Sequence, residues 1–226
     1  MSKKVGKATM RYHSTGFDEF AHAFLAFLSD PIYIETGVKL ESMSVKVLWC
    51  TDRFWSHLWE KRATTVDGSP DEYPREKTVE DWWKADGYKA TLAFGTDRIT
   101  GEKILIPQED RPKVPFLREF PVDLARELAA YDALIFLRTS GFKGPSTPHP
   151  TNNEELTDAI YPFEIIAHEC LHIVQDLTGT NMEAWNPESG QSDPVTQPFF
   201  RFIDHMTTDG FVARYLRHTD RDEIDL

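Results

Sequence analysis

The segment FEIIAHECLHIVQDLTG, residues 163 to 179, constrains what this chain can fold into more than any other stretch. At the helical period, Ile166, Cys170, Ile173 and Leu177 fall on one side, the pattern of a helix that buries a face in a core. The other side carries His168, Glu169 and His172. The two histidines are four residues apart, so their imidazoles stand one above the other and aim at one point. Glu169 is rotated about 100° from His168 and reaches beside that point. Cys170 is turned about 200° from His168, into the apolar side, where it packs as a small hydrophobe. A fold for this chain must bury one side of the helix and leave the other reachable.

The rest of the sequence supplies that core. A chain of 226 residues with 40% hydrophobic and 12% aromatic residues fits a globular α+β protein, expected as a single domain over 1–226. STGFDEFAHAFLAFLSDP reads as a helix, with Phe17, Phe20, Ala21, Phe24 and Leu28 on one stripe. PIYIETGVKLESMSVKVLWC alternates as strands do, with Met43, Val45, Val47 and Trp49 sharing a face. KATLAFGTDRITGEKILIP predicts a hairpin turning around Gly95, Asp97 and Gly101. PVDLARELAAYDA predicts a helix opened by Pro121, and ALIFLR a short apolar strand. A helical region runs from about Glu154 to Leu177, with Pro162 expected to break or kink it, and a final helix spans about Pro198 to Arg217. Residues 63–80 read as an irregular excursion, 1–13 as a flexible basic arm and 218–226 as a loose acidic tail.

Charge and cysteine content narrow the function. A net charge of −12 argues against nucleic acid as a partner, because neutralising phosphates takes a basic face. The basic cluster Lys3, Lys4, Lys7 and Arg11 belongs to the arm. No apolar run is long enough to span a membrane, and no apolar segment follows the basic N-terminus as a secretory signal requires. Two cysteines, Cys50 and Cys170, give no disulfide framework. The expectation is a cytoplasmic or virion-associated protein without a membrane partner.

The H-E-x-x-H spacing has a definite chemistry. Two imidazoles at i and i+4 supply two ligands of a tetrahedral Zn²⁺, and the intervening Glu stands where it can deprotonate a water. In this setting, AHECLHIVQ resembles the zincin metallopeptidases, and a broad set of zincin-like domains with Gln three residues past the second His. By pattern the resemblance covers roughly residues 133 to 180. It implies a small mixed sheet with an edge strand packed on the active-site helix, and a C-terminal helix. It further implies zinc held by His168 and His172, Glu169 as general base, a peptide or protein substrate, and ALIFLR as the edge strand along which an extended substrate pairs.

A third ligand has to come from elsewhere. The metzincin pattern places Gly at 175 and His at 178, where this chain has Gln175 and Thr178, so that subclass is excluded. No later Glu stands in a recognisable gluzincin helix motif. The candidates are Asp204, then Glu183, then Asp193, Glu188 and His205. Asp204 leads because a continuous helix places it on an aromatic stripe between Phe200, Phe211 and Tyr215, where a carboxylate needs a partner. Tyr215, Tyr161 and His205 are candidate donors to an oxyanion. The alternative function is a non-catalytic zincin scaffold serving as a structural or interaction module in a larger assembly.

Overall fold

VKVLWC and ALIFLR are runs of six residues buried almost throughout, so both need cover on two faces and pair side by side inside a sheet. The computed structural model describes residues 15–29, 42–51, 53–55, 87–96, 99–100, 103–138, 154–178, 196–211, 214–215 and 223–224. In chain order its elements are α1 (Thr15–Leu28), β1 (Val45–Cys50), β2 (Gly87–Thr91), β3 (Phe94–Thr96), β4 (Lys103–Leu105), α2 (Val122–Leu128) and β5 (Ala133–Arg138). The long α3 (Glu154–Thr178), α4 (Thr196–Met206), the short α5 (Thr208–Phe211) and β6 (Glu223–Ile224) follow. Two 3-10 turns, Arg111–Lys113 and Pro115–Glu119, precede α2.

The main sheet is mixed, in the order β2-β5-β1-β6. β1 and β5 pair in parallel from Val45 opposite Ala133 to Cys50 opposite Arg138. β2 runs antiparallel to β5, from Gly87 opposite Leu137 to Thr91 opposite Ala133. β3 and β4 form a separate two-stranded ladder.

Alternation along the strands divides the core into two layers. Val45, Val47, Trp49, Ala133, Ile135 and Leu137 pack with the apolar stripes of α1, α3 and α4. Leu48, Cys50, Leu134 and Phe136 turn the other way, onto Phe54, Trp55, Leu117 and the buried side of α2. At the start of β1 and β5 the register is pinned by Asp132. Its Oδ2 accepts from the Ser44 amide at 2.8 Å and hydroxyl at 2.9 Å, and its Oδ1 from Arg111 Nη2 at 2.7 Å. Arg111 also donates to the Tyr131 carbonyl at 3.1 Å, so its buried guanidinium is paired as burial demands.

The mixed α+β character and the small sheet follow the sequence expectation; several details differ. ALIFLR is not an edge strand: β5 lies between β2 and β1, and among the described residues β2 forms one edge of the sheet and the short β6 the other. Pro162 does not end the helix: α3 continues through it, with Ile160 and Phe163 on either side buried in the same core. The predicted final helix stops at Met206. Thr207 takes φ 64°, and its side chain and carbonyl accept from the Gly210 and Phe211 amides, starting a new helical turn. The predicted hairpin is shorter, since Lys89–Thr91 joins the main sheet and Gly95 sits within β3. Within the acidic tail, Glu223–Ile224 pairs with Trp49–Cys50 as β6, using the hydrogen-bonding side of β1 that β5 leaves open. The 1–13 arm and the 63–80 excursion lie outside the described residues. Among those described, no helix is long and apolar enough to cross a membrane.

Candidate metal centre

α3 carries its two faces as the sequence requires. Ile166, Cys170 and Ile173 are fully buried, with Leu177 packed at the margin of the same core. A second stripe, Ile165, Glu169, His172 and Asp176, recurs at i, i+4, i+7 and i+11, and its members Ile165, Glu169 and Asp176 meet the edge strand β2. On β2, Tyr88 and Ala90 turn into the second core layer, which leaves Gly87, Lys89 and Thr91 to meet α3. Asp176 binds both Lys89 and Thr91, accepting from the lysine ammonium and, at 2.9 Å, from the threonine hydroxyl. At the other end of the strand a Cβ built on Gly87 would lie 2.9 Å from Glu169 Oε1. The helix is thus registered to the edge strand at two points, with His172 between them on the stripe.

The imidazoles converge. His168 Nε2 and His172 Nε2 are 3.0 Å apart, with the rings inclined at 76°. Two nitrogens bound to one tetrahedral zinc at the usual bond length of about 2.0–2.1 Å stand about 3.3 Å apart, so the pair is spaced as two ligands. His172 Nδ1 lies 3.3 Å from Gln175 Oε1, an acceptor, so this contact favours the His172 tautomer that carries its proton on Nδ1 and keeps the Nε2 lone pair free. Both histidines are half-buried, whereas Glu169 is only 6% exposed, so its carboxylate is fixed by packing. Burial, and then the neighbouring Glu169 charge, pushes the Cys170 thiol well above its ordinary range, which suits inert packing.

The third ligand is not assembled by the described residues. Among them, no group of three or more His, Cys, Asp or Glu side chains could hold a metal ion. Asp204 is exposed on α4 and is not brought to the imidazole pair. The continuous helix that would carry the aromatic stripe around it ends at Met206, and the exposed Asp204 is not enclosed by that stripe. His205 is also exposed, its ring 5.9 Å from that of Phe27. Glu183, Glu188 and Asp193 lie outside the described residues. Tyr215 is fully buried among Phe20, Phe163 and Phe211, so its hydroxyl faces core rather than a substrate. Tyr161 stands on the His168 side of α3, seven residues earlier and so about 10 Å along the axis.

Sequence reasoning found the pair and the glutamate but missed the edge strand that frames them. GYKAT carried two signals, a glycine where a backbone approaches closely and a lysine and threonine alternating on one face. In comparisons with protein-family models, curated proteins and solved structures, nothing matches the chain.

Proposed function

We propose that this chain is a zinc-dependent metallopeptidase with a zincin-like site, acting on peptide or protein substrates. The observation that carries the reading is the 3.0 Å approach of the His168 and His172 Nε2 atoms, with buried Glu169 beside them and against the edge strand. Zinc held by these two imidazoles and a third ligand supplies Lewis acidity to a water and to the scissile carbonyl. Glu169 takes the proton of the attacking water and returns it to the leaving amine nitrogen. Gln175 keeps His172 in the tautomer whose Nε2 lone pair is free to bind. The edge of β2 away from β5, which no other described strand pairs, offers backbone groups to an extended substrate alongside Glu169.

The test is hydrolysis of an unfolded protein such as casein, with zinc counted per chain. One zinc per chain and cleavage that stops with chelator and returns with zinc are expected. Bound zinc without cleavage would move the reading to the non-catalytic scaffold, and no zinc would remove both. Counting zinc in Glu183→Ala, Glu188→Ala, Asp193→Ala and Asp204→Ala locates the third ligand; Asp204→Ala is expected to keep its metal.

Gln175 gives a second expected outcome. Outer groups that orient ligating imidazoles are worth about 10–100-fold in metal affinity. Gln175→Leu is expected to weaken zinc binding by that factor, measured by competition with a chromophoric chelator. An affinity within twofold of wild type would show that packing alone orients His172.

A further inference from the structure

β2 approaches α3 through a residue that has no side chain. A Cβ placed on Gly87 would lie 2.5 Å from Ile165 Cγ2, 2.9 Å from Glu169 Oε1 and 3.2 Å from Glu169 Cγ. Ordinary contacts of a methyl group begin several tenths of an ångström farther out. The strand cannot withdraw to make room. Gly87 is paired opposite Leu137 in the antiparallel ladder, and two and four residues on, Lys89 and Thr91 are tied to Asp176 of the same helix. The helix cannot withdraw either, since Ile166, Cys170 and Ile173 on its far side are fully buried. Any side chain at 87 therefore pushes Ile165, Glu169 or both.

We propose that Gly87 is a positioning residue for the general base: the bare backbone of the edge strand is one wall of the Glu169 carboxylate's seat and sets where its oxygens stand. The proposal rests on the metallopeptidase reading for its consequence and on the close approach for its geometry. Glu169 gives way more readily than backbone, having three rotatable bonds, and with only 6% of its surface exposed it has few places to go. A displacement of about 1 Å at a catalytic group costs on the order of 10²-fold in rate. None of the three atoms nearest the position 87 Cβ belongs to His168 or His172, so zinc affinity is expected to change far less than kcat.

The two clashes are separable by mutation. Gly87→Ala is expected to lower both the melting temperature and kcat, the latter about 10²-fold, with zinc affinity and KM within a factor of three of wild type. Adding Ile165→Ala removes the 2.5 Å collision but leaves the 2.9 Å one. The double variant is expected to regain the melting temperature of the Ile165→Ala single variant while kcat stays low. A purely structural role for Gly87 would instead let kcat recover with stability. A second readout needs no activity: in a crystal structure of the metal-free double variant the Glu169 side chain is expected in a different rotamer from wild type. A double variant with the kcat of Ile165→Ala, or with Glu169 unmoved, overturns the proposal. If wild type cleaves nothing and Glu169 nevertheless moves, the peptidase reading fails while the seat for the carboxylate stands.

Discussion

Glu169→Gln is expected to bind zinc as wild type does and to hydrolyse an unfolded protein about 10²–10⁴-fold more slowly. The substitution keeps the shape of a side chain that is 6% exposed and seated against Gly87, so neither packing nor the His168–His172 approach is disturbed. What it removes is the ability to accept a proton, since an amide has no basic oxygen at neutral pH. His172→Ala makes the contrast, because it deletes one of the two converging nitrogens and is expected to lose zinc and activity together. The comparison is read from zinc per chain and kcat on the same preparations. A Gln variant retaining more than about a tenth of wild-type turnover would remove Glu169 from the proton-transfer step, whatever its zinc content.

What the sequence made legible, and what it did not, divides along the range of the interaction. The stripe Phe17, Phe20, Ala21, Phe24 and Leu28, the face Met43, Val45, Val47 and Trp49, and the buried side of α3 all appear in the core as their periodicity requires. Periodicity is local, and burial of one face follows directly from it. The edge strand was misplaced although a signal was present. ALIFLR is apolar at five consecutive positions, the mark of an interior strand covered on both faces, whereas GYKAT alternates as an edge does. Asp204 was drawn toward the site by assuming one helix through Arg217; Thr207, followed by Thr208, Asp209 and Gly210, spelled a cap and a new turn instead. The approach of Gly87 to Glu169 was not legible at all. It joins positions 82 apart in sequence, and it exists because β2 pairs with β5 while Asp176 clamps Lys89 and Thr91.

Phe20→Ala is expected to be the most damaging single change to the fold away from the metal centre. The ring is completely buried and meets six others: Phe163 at 5.0 Å, Phe202 and Tyr215 at 5.5 Å, Phe24 and Phe211 at 5.9 Å, and Phe199 at 6.1 Å between centroids. Five of the six are tilted edge-on, the arrangement that ring quadrupoles favour. These neighbours belong to α1, α3, α4 and the turns after α4, so one side chain joins the described helices that cover that face of the sheet. Truncating it leaves a cavity whose walls are ring edges held by their own neighbours and slow to collapse. The expected loss is about 3–5 kcal/mol, or a fall in melting temperature of about 6–20 °C for a chain of this size. Val122→Ala on α2, 71% exposed, is the control and is expected to stay within about 0.5 kcal/mol of wild type. Because Phe163 sits on α3 a turn and a half before His168, the same cavity loosens the helix that aims the imidazoles. Zinc affinity in Phe20→Ala is therefore expected to weaken at temperatures where the wild type is unaffected, while at low temperature the two proteins bind alike. Urea denaturation and zinc titration across temperature check both parts; a stability loss under about 1 kcal/mol would mean that the aromatic cluster repacks and does not set the position of α3.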